Sequence, residues 1–232
     1  MGVILNCKAK YMHLLVRTGT ELLPYLPIFE CMKQKTVART PETRDELWFL
    51  EHEPVFTQGL AGRPEHLLHT HPTIPVIQTD RGGQITYHGP GQLMAYTLFD
   101  VTRLQLVTRT FVRALEQTVI ETLQTFGVKA LAREAAPGVY VNDQKIASLG
   151  LRIKKGFAYH GIAFNITADL NPFSYINPCG HRGLQMTTLQ THVPTITRTQ
   201  AEQAWLAAFQ SIFGYTTLIF APLHTPLTEA FK

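Results

Sequence analysis

Cysteine is scarce here: Cys7, Cys31 and Cys179 are the only three in 232 residues, and no two form a CxxC pair. An odd number at irregular spacing excludes a disulfide framework and points to a reducing compartment, the cytoplasm. Long apolar runs are missing too. Nothing approaches the ~20 residues of a membrane-spanning helix. The short Val3-Ile4-Leu5 patch is no signal-peptide core, and Asn6 stands where a myristoylation site has Ser or Thr. Charge is sparse at 16%, with a net +4. No dense Lys/Arg block with interleaved aromatics occurs, so nucleic acid is not an expected partner. Spread positive charge of this kind suits acidic proteins. The Asn165-Ile166-Thr167 sequon is a chance match in a cytoplasmic chain.

What is present is a 45% hydrophobic chain, long enough to bury a full core as one domain over residues 1–232. Residues 12–17 read as a strand and 21–38 as a helix, with Pro24 and Pro27 tolerated near its start. Residues 47–52 and 75–79 read as buried strands, and 93–100 as another. Phe111, Leu115, Val119, Leu123 and Phe126 recur at helical spacing, and Gly127 stops that helix. Three strands follow over 138–141, 145–153 and 157–166, joined by Asn142-Asp143 and Lys154-Lys155-Gly156 turns. Thr199 and Glu202 match a capping box for a helix ending at Gly214, before a last strand over 215–220. No regular βαβ alternation emerges. The expected class is α+β, a mixed sheet flanked by helices.

Three stretches carry chemistry. Arg81-Gly82-Gly83-Gln84-Ile85-Thr86-Tyr87-His88-Gly89-Pro90-Gly91-Gln92 holds four glycines. It either lets backbone approach a ligand, with amides for an anion or carbonyl oxygen, or is a plain Gly-Pro turn. No Gly-Lys-Ser/Thr follows, so a Walker-type phosphate loop is excluded. In the second stretch, alternation places Lys145 on one face with Ala147, Leu149, Leu151 and Ile153, opposite Ile146, Ser148, Gly150 and Arg152. That predicts a lysine turned to the apolar side, where burial disfavours its charged form and makes it a proton acceptor. A lysine snorkelling at the strand's mouth is the other reading. The third stretch is Asn177-Pro178-Cys179-Gly180-His181, where Pro178 forces Asn177 to be extended and Gly180 leaves room beside the sulfur. A loop cysteine set so is a nucleophile candidate, though most lone cysteines are small buried hydrophobes. His66, His69 and His71 have zinc-like spacing, yet no cysteine or carboxylate completes a set, and no metal is expected. Gly161 and Ala163 share a strand face, leaving an apolar slot or simply close packing.

The loop RGGQITYHGPGQ, the segment GVYVNDQKIASLGLRI, the strand HGIAFNI and the NPCG loop occur in that order between Leu47 and Leu189. Together they resemble the lipoyl(octanoyl) transferases. The resemblance implies the catalytic fold of biotin and lipoate protein ligases. It implies octanoyl-acyl carrier protein as donor and, as acceptors, lipoyl domains of 2-oxo-acid dehydrogenase subunits and the glycine cleavage H protein. It implies an acyl-thioester on Cys179 with Lys145 as partner, and no ATP or metal. Substrate contacts are implied at Arg81, Gly82, Gly83, Gln84, Ile85, Thr86, Tyr87 and His88. Further contacts are implied at Ser148, Leu149 and Gly150, and at Gly161, Ile162 and Ala163. The alternatives are an ATP-dependent ligase of the same fold and a Cys-His hydrolase using His88 or His181.

Overall fold

A computed structural model describes residues 13–223; the sequence readings on residues 1–12, Cys7 among them, lie outside the described residues. The chain opens with β1 (His13–Leu23), α1 (Tyr25–Ala38), β2 (Asp45–His52) and β3 (Val55–Gln58). Next come β4 (Val76–Gln78), β5 (Ile85–His88), β6 (Gln92–Asp100) and α2 (Thr108–Thr125). The strands β7 (Leu131–Ala132), β8 (Gly138–Val141), β9 (Gln144–Lys154) and β10 (Phe157–Asn165) follow. One-turn α3 (Leu189–His192), α4 (Arg198–Phe213) and β11 (Thr217–Pro222) close it.

Eight strands form one sheet in the order β11-β1-β2-β6-β10-β9-β8-β7, and β4-β3-β5 form a second, smaller one. Within the large sheet, β1 is parallel to β2 and β11 and the other pairs are antiparallel. This is the mixed α+β sheet expected from the irregular element order.

The central strands are apolar on both faces because both are covered. Leu47 and Phe49 of β2 and Leu93 and Ala95 of β6 meet α2 and α4 through Phe111, Leu115, Trp205 and Phe209. Trp48 and Leu50, with Met94, Tyr96 and Leu98, meet α1 through Ile28, Phe29 and Met32. The small sheet closes over its own cluster of Phe56, Ile85, Tyr87 and Phe173. Among the described residues, no helix is long and apolar enough to cross a membrane.

Two turns follow the sequence closely. Asn142 and Asp143 both take positive φ (47° and 67°), as do Lys155 and Gly156 (51° and 83°), the conformation of tight two-residue hairpins. Three readings are corrected. The first helix starts at Tyr25, not residue 21, because β1 resumes pairing with β2 at Leu22 and Leu23 after an irregularity; Pro24 then caps the helix in an extended conformation. The strand β4 is not buried: Val76 and Gln78 are exposed at the edge of the small sheet. The capping box is formed by Thr197 and Gln200, two residues ahead of the Thr199–Glu202 match, while Gly214 ends α4 with φ 73° as expected.

Candidate active site

Cys179 sits in a single 3₁₀ turn, Pro178–Gly180, with φ 55° and ψ 19°. A side chain in the left-handed region costs roughly 1–2 kcal/mol, so the loop must be held from outside. It is. Asn177 N–H donates to His66 O (2.8 Å), and Gly180 N–H to Asn177 O (2.9 Å). Gly180 itself has φ 79°, and a Cβ there would meet the Gln84 side chain at 3.0 Å.

Lys145 is fully buried. Its Nζ donates to Pro137 O at 3.0 Å and to Cys179 Sγ at 3.3 Å. The segment after the cysteine loop clasps the same residue. Lys145 N–H donates to Gln185 O (2.8 Å), and Thr187 N–H donates to Lys145 O (3.0 Å). The cysteine loop and the lysine are thus stitched together through backbone.

The strand-face reading of Lys145 is corrected here. Between β8 and β9 the register slips: Val139 faces Ala147, yet Tyr140 faces Lys145, leaving Ile146 as an extra, bulged residue. Ile146 joins Ala147 in the core beneath α2 and α4, with the half-buried Leu149, Leu151 and Ile153 packed against it. Lys145 is thereby switched to the phase of Ser148 and Gly150, on the side of Cys179.

Cys179 lies at a cleft enclosing about 380 Å³ of space between atoms, its open mouth included. Of the residues expected at a substrate site, Arg81, Thr86 and His88 line it, as do Ser148, Leu149, Gly150, Gly161 and Ala163. Others do not. Ile85 and Tyr87 alternate away into the core of the small sheet, and Ile162 into the core under α2. Gly82 N–H donates to Leu151 O (2.9 Å), so that amide is already engaged. Gly83 sits against Gly59 and Ala61, and Gln84 against Gly180. Gly161 is also fixed by packing, since a Cβ would run into Ala95 O of β6.

Tyr25, Met94, Tyr96 and His160 complete the lining, and the sequence reading missed all four. The first three read as ordinary core of an amphipathic helix and a buried strand. His160 should alternate into the opposite core, but its φ of 63° breaks the alternation. Its ring stacks on Phe29 of α1, and its Nε2 faces Asp80 Oδ1 at 2.9 Å.

The cleft's polar wall is a fixed chain of neutral groups ending in one cation. Arg81 is buried with no ion pair among the described residues; it donates to Thr57 Oγ1 (2.9 Å) and to Thr57 O (2.5 Å). Gln92 Nε2 donates to Tyr87 O and Asn165 Oδ1, so its Oε1 accepts from His88 Nδ1 at 2.7 Å. His88 Nε2 is then left to accept from the Thr57 hydroxyl (3.1 Å). His52 Nδ1 donates to Leu23 O, and its Nε2 accepts from Tyr96 OH. Burial holds His52 down to about 4 and His88 well below its usual value, the latter helped by the Arg81 charge. Burial also lowers His160, against the opposing pull of Asp80. Among the described residues none of these rings bonds Cys179; Lys145 Nζ is the side-chain donor at the sulfur. Of His66, His69 and His71, His71 packs edge-on against Tyr175, His69 N–H donates to Tyr175 O, and His66 O accepts from Asn177 N–H.

Residues 30–210 match the lipoyl protein ligase A/B catalytic domain. An octanoyltransferase of Coxiella burnetii is 56% identical over 201 residues, covering 87% of this chain and 83% of its own. One of Hahella chejuensis is 50% identical, covering 85% and 88%. A putative lipoate protein ligase of T. acidophilum with bound lipoic acid superimposes with TM-score 0.75 at 14% identity, over 94% of this chain and 91% of its own. This last likeness speaks to fold alone.

Proposed function

The chain belongs to the lipoyl protein ligase A/B catalytic domain family, and from that premise we propose that it is an octanoyltransferase working through an acyl-thioester on Cys179. The observation that carries the reading is the Lys145 Nζ–Cys179 Sγ contact of 3.3 Å beside a cleft with an apolar floor. A cysteine at its ordinary pKa of about 8.5 is only a few per cent thiolate at neutrality. Transfer of the Cys179 proton to Lys145 creates the nucleophile, and the ammonium stays to stabilise it, with the Arg81 charge close enough to add to the effect.

The thiolate adds to the carbonyl carbon of octanoyl-acyl carrier protein, and the carrier's C–S bond breaks. The carrier thiolate takes back the proton from Lys145, leaving octanoyl-Cys179. An uncharged lysine amine of a lipoyl domain then adds to the same carbon. Cys179 leaves as thiolate, and the proton released by the amine passes to Lys145. Exchange between thioesters is nearly balanced and amide formation drives the sequence forward, so neither ATP nor a metal is required. Met94, Gly161 and Ala163 supply the floor for the acyl chain. Acceptors are lipoyl domains of 2-oxo-acid dehydrogenase subunits and the glycine cleavage H protein, and the compartment is the cytoplasm, where Cys179 stays reduced.

Intact-mass measurement after mixing with octanoyl-acyl carrier protein tests this. The protein should gain one octanoyl group without ATP, lose it to a lipoyl domain, and keep it in buffer alone. An adduct that requires ATP would establish the ligase chemistry instead, and release of free octanoate would establish a hydrolase.

A further inference from the structure

Glu116 interrupts the buried face of α2. It is 5% exposed, and its Oε1 accepts from Gly138 N–H at 2.8 Å. The neighbouring carbonyl, Pro137 O, accepts from Lys145 Nζ. Gly138 has φ 140°, and a Cβ on it would lie 2.8 Å from Lys145 Cε and 3.1 Å from Nζ. Carboxylate and lysine therefore sit against the same residue, at opposite sides of one backbone turn, without touching as an ion pair. The proposed chemistry of Cys179 does not use this carboxylate.

A single backbone N–H does not explain a buried carboxylate. Glutamine could accept the same bond, whereas desolvating an ion costs several kcal/mol. The charge needs a charge, and Lys145 is the buried one facing it. Arg113, on the same helix, also faces Glu116 but is half exposed.

We propose that Glu116 is the positioning residue of the Lys145–Cys179 pair: it anchors the Pro137-Gly138 turn that seats the lysine, and its negative charge favours ammonium and thiolate over amine and thiol. The sign follows from order in space. Glu116 lies on the lysine side of the pair, so its attraction for the ammonium exceeds its repulsion of the more distant thiolate. Burial raises the Glu116 carboxyl above its usual value, against the lowering pull of Gly138 N–H, Lys145 and Arg113. The other charge facing Cys179 is Arg81, which favours the thiolate independently of Glu116.

The proposal rests on Cys179 being the nucleophile, but iodoacetamide alkylation of Cys179, followed by peptide mass spectrometry, needs no acyl donor. It therefore stands apart from the test of octanoyl transfer. In Glu116→Gln, the pH midpoint of Cys179 alkylation should rise by about one unit, the low end of what a nearby charge does. The rate at neutral pH should fall up to about tenfold. In a Lys145→Ala background, the same substitution should move the profile no further, because the charge acts through the lysine. With octanoyl-acyl carrier protein, kcat should fall and KM stay. A Glu116→Gln profile that overlays wild type overturns the proposal, and so does a full shift persisting without Lys145. Should Glu116→Gln fail to fold, Glu116→Asp carries the test: withdrawing the charge by one methylene should move the midpoint part of the way upward, and an unmoved midpoint overturns the idea.

Discussion

Cys179 and Cys31 show how setting decides what a thiol does. Burial in α1 pushes the Cys31 thiol up to about 11, which leaves it a small core hydrophobe. Cys179 is half-buried, in a left-handed turn, with an amine nitrogen at 3.3 Å. Replacing Cys179 by alanine should abolish both the octanoyl adduct and turnover, whereas Cys31→Ala should keep the adduct; an adduct surviving on the Cys179 variant would remove the covalent route. Lys145→Ala should lower transfer by about 10²–10⁴-fold, the usual worth of a general acid–base group. Lys145→Arg should restore little of it, because a guanidinium keeps the charge but gives up no proton. Steady-state rates of the two variants decide this, and an alanine variant within about threefold of wild type would leave Lys145 a structural residue.

At the scale of the elements, the hairpin β8–β9 does most to build the site, and Gly138 is its tightest point. Its φ of 140° belongs to glycine, and a Cβ would meet Ala147 O at 2.7 Å as well as the Lys145 side chain. Gly138→Ala should therefore cost about 1–3 kcal/mol in strain, read as a lower unfolding midpoint in urea. It should also slow Cys179 alkylation by displacing Lys145. A variant as stable and reactive as wild type would show that the hairpin relaxes freely. The same hairpin marks where the sequence stops being legible. Its strands and the Asn142-Asp143 turn follow from alternation and turn chemistry, but alternation sends Lys145 to the wrong side. The bulge at Ile146 is set by pairing with Val139 and Tyr140, which no local pattern records. His160 escapes for a like reason, a single positive φ inside a strand. Tyr25, Met94 and Tyr96 escape because a cleft floor and a core have the same composition. The loops carrying Arg81 and Cys179 were legible because glycine and proline at fixed places leave few alternatives.

For the molecule as a whole, both sheets bury histidines, His52 and His160 on the main one and His88 on the small one, and this couples folding to pH. His52 is held down to about 4, His88 well below its usual value and His160 lower than usual, in each case chiefly by burial. All three are neutral in the folded protein, while in the unfolded chain they bind protons below about pH 6.5. The unfolded state thus takes up more protons as the pH falls. The stability of the neutral state is complete above that pH and is lost on going down through the window to about pH 4. Each buried histidine contributes a slope of up to about 1.4 kcal/mol per pH unit. Glu116 and Glu202, whose carboxyls burial raises, have the opposite sign and offset part of the loss at the acid end of the window. Urea unfolding at intervals from pH 7.5 to 5 should show stability flat to about 6.5 and then falling with a slope of two to three protons. His52→Gln should reduce that slope by about one proton, because its neutral amide needs no proton to be lost on folding. A curve flat to pH 5 would mean that these rings are charged in the folded protein, and the chain of donors and acceptors from Arg81 through Thr57, His88 and Gln92 would then have to be redrawn.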